Sequence, residues 1–118
     1  MSIRLGIDKL VSACHSAASE AGWWDRPKTW ETVPRCLMLI VSELAEAMEG
    51  DRKDLMDDHL PHRPMLEVEL ADAVIRIADL AGALDLDLSG AIEAKLAYNK
   101  TRADHKKSAR AAKGGKAY

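Results

Sequence analysis

The sequence predicts an all-α fold of four helices arranged in a bundle-like way, and three observations carry that expectation. Leu and Ala are abundant, Phe is absent and Tyr occurs only twice, a composition that favours helix over sheet. Apolar residues recur at three- and four-residue steps in four stretches, the signature of helices with one buried face. Between those stretches stand Gly22, Gly50, Pro61 and Pro64, residues that interrupt helices. A length of 118 residues predicts a single domain over 1–103, burying roughly two thirds of its unfolded surface. A basic, mobile tail over 104–118 is expected to follow it.

The first helix is expected from Ile3 to Ala21, with Leu5, Leu10, Val11 and Cys14 at helical spacing and Gly22 as its stop. The next segment, Gly22 to Trp30, breaks the period and gathers all three tryptophans, Trp23, Trp24 and Trp30, in a polar loop. Large aromatics in a connection need a core or a ligand to cover them. The second helix is expected from Thr32, as N-cap, to Glu49, with Pro34 in its first turn. Its run from Cys36 to Val41 is apolar on every side, as in a helix surrounded by protein.

A charged loop from Asp51 to Arg63 leads to Pro64 at the first position of the third helix. That helix is expected to reach Leu84, with Leu66, Leu70, Ala73, Val74, Ile77, Leu80 and Ala81 as its core stripe. The fourth helix, capped by Asp87 or Ser89, runs from Leu88 to Ala103 with Ile92, Leu96 and Asn99 on one face.

A net charge of -2 excludes a general electrostatic attraction to nucleic acid. The charges are unevenly spread: acids cluster between Glu43 and Asp87, and Lys95 to Lys116 is basic apart from Asp104. An acidic centre followed by a basic end suits an anionic ligand held through metal. Cys14 and Cys36, the only cysteines, lie in apolar patterns without zinc-finger spacing and read as buried free thiols. Arg4, Asp8 and Lys9 interrupt the N-terminal apolar residues, so neither a signal peptide nor a membrane span is expected, and a cytoplasmic protein is implied.

Two acidic signatures dominate the centre, Glu43-Leu-Ala-Glu46 and Glu69-Leu-Ala-Asp72. In each, carboxylates at i and i+3 project from one side of a helix, one turn apart. Glu43 falls in the row Leu39, Glu43, Ala47, and Glu69 in the row Met65, Glu69, Ala73, Ile77, so both acids interrupt apolar rows. A buried acid needs a cation or strong donors. Glu43 and Glu69 are therefore expected to be the deeper pair, and Glu46 and Asp72 to stand nearer water. Four carboxylates on two packed helices form an oxygen-only site suited to a hard divalent cation, chiefly Mg²⁺, with Mn²⁺ as the alternative.

This order of signatures resembles the MazG-like branch of the all-α NTP pyrophosphatase superfamily. Ile40 to Met48 and Glu69 to Leu80 look like its two metal-binding helices, and Ala94 to Arg102 looks like its late Lys/Asn/Arg element. Gly22-Trp23-Trp24-Asp25 and the ending with Gly114-Gly115-Lys116 are similar to short phage-type and bacterial members. The resemblance implies hydrolysis of (deoxy)nucleoside triphosphates between the α and β phosphates, giving a monophosphate and pyrophosphate, in nucleotide-pool house-cleaning. On this reading Glu43, Glu46, Glu69 and Asp72 bind Mg²⁺.

The residue types suit that chemistry. Carboxylates hold a triphosphate only through bridging cations, and no Ser, Cys or His is placed as a nucleophile with a partnered base, so direct attack by water is expected. Glu46 is expected to orient that water, with Glu49 in reserve. Lys95, Asn99, Lys100 and Arg102 are expected to contact phosphate or sugar, Lys113 and Lys116 to close over them, and Trp30 to stack on the base, joined by Trp23 or Trp24. His15, His59, His62 and His105 read as surface histidines, Asp57 and Asp58 as loop-solvating acids, and Asp79 as the partner of Arg76. The acids leave base and sugar preference open, because pocket shape sets it.

A di-iron carboxylate bundle fits poorly, since it needs Glu-x-x-His on two helices and the i+3 positions here are Glu46 and Asp72. The other alternative, a non-catalytic helical interaction module with a basic tail, leaves Glu43 and Glu69 unexplained. The all-round apolar second helix and the resemblance both predict a homodimer or dimer of dimers, in which Trp30 or the tail serves the neighbouring subunit's metal site.

Overall fold

A computed structural model describes residues 3–102 together with Ala111 and Gly114. Its helices are α1 (Arg4–Glu20), α2 (Thr32–Lys53), α3 (Met65–Ala83) and α4 (Leu88–Thr101). Among the described residues the extended pairing is confined to an isolated antiparallel bridge between Met56 and Pro64. The fold is therefore all-α with four helices, as composition and periodicity predict. The chain divides into two compact units, Lys9–Leu86 and Met1–Asp8 with Asp87–Tyr118. Apart from Ala111 and Gly114, the expected basic tail lies outside the described residues.

Within Lys9–Leu86 the frame is the antiparallel α2–α3 hairpin. Here α2 continues through Gly50, which sequence reading takes as its stop, and ends at Lys53. Gly50 is buried, and a Cβ there would stand 2.8 Å from Cβ and Cγ of Met65. Its missing side chain thus permits the close approach of the two helices rather than ending one of them. The left-handed residue that ends α2 is Asp54, with φ 53°, and Arg52 and Lys53 occupy the last turn, where cations are favoured.

Other caps differ from expectation in detail. Glu31, not Thr32, holds the N-cap position of α2, while the Thr32 hydroxyl accepts a 2.9 Å hydrogen bond from the Thr29 N–H and fastens the preceding loop. Pro64 is the N-cap of α3 rather than its first helical residue. Asp87 caps α4, accepting from the Gly90 N–H.

The core of this unit is built around Ile40, Ala73 and Leu80, with Trp24, Cys36 and Leu84 packed on it. It differs from the expected stripe: Ala73, Ala78, Leu80 and Ala81 are buried, whereas Leu66, Leu70, Val74 and Ile77 are exposed. The same holds for α2, where Ile40 and Ala47 point inward and Leu37, Met38, Val41 and Leu44 do not. Small residues line the inner face because the helices lie close together, and the larger apolar side chains are left outside. At the far end of the hairpin α1 approaches α3 as closely, since a Cβ on Gly82 would meet His15 Cβ at 2.7 Å.

In the other unit, Arg4 pairs with Asp87 at 3.0 Å and Glu93 at 3.4 Å. The buried Ser89 hydroxyl donates to Asp8 at 2.7 Å. No described helix is long and apolar enough to cross a membrane.

Candidate metal centre and adjoining cleft

The α2–α3 hairpin brings Glu43, Glu69 and Asp72 together, with one carboxylate oxygen of each within 4.8 Å of the others. Helical spacing sets Glu69 and Asp72 one turn apart on α3, and the packing of the hairpin brings Glu43 to them from α2. Glu69 is 7% exposed and Glu43 retains 12% of its side-chain surface. Asp72 is half-buried and Glu46 is exposed. Glu69 is thus buried and Glu46 exposed, as expected, whereas Glu43 and Asp72 are both half-buried, so the expected pairing by depth is met only at Glu69 and Glu46.

Among the described residues Glu69 Oε2 is buried without a hydrogen-bond partner, a costly state for an ionised oxygen. The Glu69 carboxyl is accordingly pushed up to about 8, first by sharing a proton with Glu43, then by burial and by the neighbouring charge of Glu46. Asp72 is also raised, chiefly by burial and then by the negative charge of Glu43, with Arg76 acting in the opposite sense. Of the four expected metal ligands, Glu46 is exposed and is not among the carboxylates that converge, although it contributes to raising Glu69. An orphaned buried oxygen among converging acids, with no soft ligand in the group, is a donor set that fits a hard divalent cation.

Arg76 is the residue that sequence reading misassigns. Its Nε donates to Glu43 Oε1 at 3.1 Å, across the hairpin, instead of pairing with Asp79 on its own helix. Asp79 is taken by other donors: His15 Nδ1 at 2.9 Å and Trp24 Nε1 at 2.8 Å both reach its Oδ1. His15 is accordingly half-buried rather than a surface histidine, and its ring meets that of Trp24 edge-on with centroids 5.9 Å apart. Lys28 completes the arrangement, lying over the Trp24 ring and donating to the Ala83 carbonyl at 2.8 Å.

Asp57 is a second correction. It is as buried as Glu69, at 7% exposure, and its Oδ2 accepts from the His59 and Leu60 N–H groups at 2.9 and 2.8 Å. This side chain organises the loop, as an Asx-type turn does, while Asp58 stays exposed.

A cleft of about 1220 Å³ opens beside the acids, with Glu43, Asp72, Arg76, Asp79, Trp24 and Arg35 among its lining residues. Cys14 and Cys36 also border it; both are free, and burial pushes both thiols up.

The remaining expected site residues are not among the converging carboxylates. Glu49 is exposed and bound to Lys53 at 2.7 Å, outside the converging trio. Trp30 is 83% exposed and does not line the cleft, whereas Trp23 and Trp24 do. Lys95, Asn99 and Lys100 lie on α4 and Arg102 is its C-cap, all in the other compact unit. There the Lys95 ammonium sits 4.8 Å from the centre of the Tyr98 ring, and Asn99 Oδ1 is buried without a partner. Lys113, Lys116 and His105 lie outside the described residues. No protein-family model, curated protein or solved structure matches the chain.

Proposed function

We propose that this chain is a MazG-like, Mg²⁺-dependent pyrophosphohydrolase that cleaves (deoxy)nucleoside triphosphates between the α and β phosphates. The observation that carries this reading is Glu69 Oε2, a buried carboxylate oxygen with no donor, facing Glu43 and Asp72. Glu43, Glu69 and Asp72 would hold the ion, with Glu46 at the solvent side. When bound, Mg²⁺ supplies the positive charge that lets an acidic site accept a polyanion and offsets charge developing in the transition state.

Glu46 then orients water for in-line attack on the α phosphorus. The new P–O bond forms as the bond to the bridging oxygen breaks, pyrophosphate departs, and the proton of the water passes to Glu46. Arg76, already paired with Glu43, limits the excess negative charge of the acid group. Its guanidinium borders the cleft, within reach of an entering phosphate.

A homodimer or dimer of dimers belongs to the same reading. It is supported by the large apolar side chains that α2 and α3 leave exposed, Leu37, Val41, Leu44, Leu70 and Val74 among them, a patch of the kind that a second copy covers.

Incubation with a panel of triphosphates, with and without Mg²⁺, and identification of the products tests the reading. Monophosphate and pyrophosphate formed only with Mg²⁺ are expected. Diphosphate and orthophosphate, or no turnover with any triphosphate, would overturn it, the latter favouring a non-catalytic interaction module.

A further inference from the structure

Seven residues beyond Asp72 on α3, Asp79 lines the same cleft. The helical rise places it about 10 Å further along. Its side chain keeps only 18% of its surface, and its two oxygens differ sharply. Oδ1 accepts both from His15 Nδ1 and from Trp24 Nε1, which fills that oxygen and fixes the plane of the carboxylate. Oδ2 accepts no hydrogen bond among the described residues, yet it is not among the buried atoms lacking a partner, so solvent reaches it. His15 does not line the cleft whereas Trp24 does; the histidine braces Asp79 from behind.

A rigid carboxylate with one satisfied oxygen and one open oxygen accepts a single hydrogen-bond donor and repels a carbonyl. It lines the cleft about 10 Å along α3 from Asp72, a separation at which a nucleotide anchored by its phosphates at the acid trio would present its base. We propose that Asp79 determines base specificity: its Oδ2 accepts an N–H of an exocyclic amine, so the site prefers cytosine and adenine nucleotides to uracil and thymine nucleotides. This rests on the pyrophosphohydrolase reading only for placing the phosphates at Glu43, Glu69 and Asp72. Guanine's two-donor edge is less suited, because bidentate pairing requires both oxygens and Oδ1 is occupied. Uracil and thymine turn a carbonyl oxygen towards the carboxylate at the position where cytosine carries its amine. His15 and Trp24 are positioning residues in this scheme.

The test uses the full chain with Mg²⁺ and measures dissociation constants for the monophosphates CMP and UMP by calorimetry, since these nucleotides share sugar and phosphate and differ at the base edge. CMP is expected to bind about 10- to 100-fold more tightly than UMP, the value of one hydrogen bond to a charged acceptor. Asp79→Asn is expected to bring the two affinities to parity or reverse them, because a carboxamide can donate to the uracil carbonyl. The wild-type ratio needs no variant, so misfolding of Asp79→Asn does not obscure the answer. Trp24→Phe, which keeps an aromatic ring but removes one of the two donors that fix Asp79, is expected to reduce the ratio. Equal affinities in the wild type, binding of neither monophosphate, or an unchanged ratio in a folded Asp79→Asn would overturn the proposal. Preference for CMP without hydrolysis of any triphosphate would retain Asp79 as the base reader and discard the pyrophosphohydrolase reading. Hydrolysis of CTP and UTP at equal efficiency, with equal CMP and UMP affinities, would do the reverse.

Discussion

Asp57 and Glu69 are buried to the same degree, 7% exposed, and their surroundings could hardly differ more. Asp57 has two backbone N–H donors on one oxygen, supplied by residues two and three positions along the chain. Glu69 has no donor on Oε2 and faces two further carboxylates. Burial therefore does not separate a structural acid from one proposed to hold a metal. The donors around it do, because a carboxylate with backbone donors is already compensated and one without them must gain a proton or a cation.

The largest effect that can break this contrast is on hydrolysis. Glu69→Gln and Asp72→Asn are each expected to lower Mg²⁺-dependent turnover by more than the roughly 100-fold that accompanies loss of an outer-shell partner, measured as pyrophosphate release. Asp57→Ala is expected to leave turnover of the folded protein intact but to cost stability, about 2 kcal/mol for two backbone donors left without their acceptor, read from urea unfolding. A catalytic loss in Asp57→Ala at constant stability would erase the distinction between the two acids.

A pH series sharpens the same comparison. Glu69 is held at about 8 in the folded protein against 4.5 ordinarily, so between those values the folded state binds more protons than the unfolded state. Stability of the metal-free protein must then fall as pH rises from about 5 to 8. Below that window both states are protonated and the term vanishes. The melting temperature is expected to follow this slope, to lose it in Glu69→Gln, and to recover at pH 8 when Mg²⁺ is added. Persistence of the slope in Glu69→Gln would assign it to another group.

The smallest effect concerns an acid that is neither buried nor short of donors. Glu49 lies half in solvent beside Lys53, and Glu49→Gln is expected to change stability by less than about 0.5 kcal/mol and turnover by less than about twofold. Glu46→Gln, one turn away, is expected to lose most of the activity. Retained activity in both Glu46→Gln and Asp72→Asn would remove the metal assignment.

The chain itself discloses much of this before any coordinates are consulted. Helical periodicity locates all four helices, and its place in an apolar row marks Glu69 as a buried acid. What it conceals are contacts between elements distant in sequence. Arg76 and Asp79 have ion-pair spacing on one helix, but Glu43 on α2 takes the first and His15 with Trp24 takes the second. Spacing within a helix does not say which competitor across the interface is closer. Gly50 likewise looks like a stop, because the sequence cannot show that Met65 needs the space of its absent side chain. The Asp57 turn carried a legible signal, an Asp two and three residues before the N–H groups it binds, obscured by the surrounding charge.

The alanine-lined inner face of α2 and α3 has one more consequence. With Ala47, Ala73, Ala78 and Ala81 inside and the bulkier apolar residues outside, much of the hydrophobic free energy available to this hairpin is unspent in the single chain. If a second copy covers those residues, folding and association become one equilibrium, and the melting temperature rises with protein concentration. Dilution would then silence the protein by melting it, with Glu43, Glu69 and Asp72 dispersing as the subunits part.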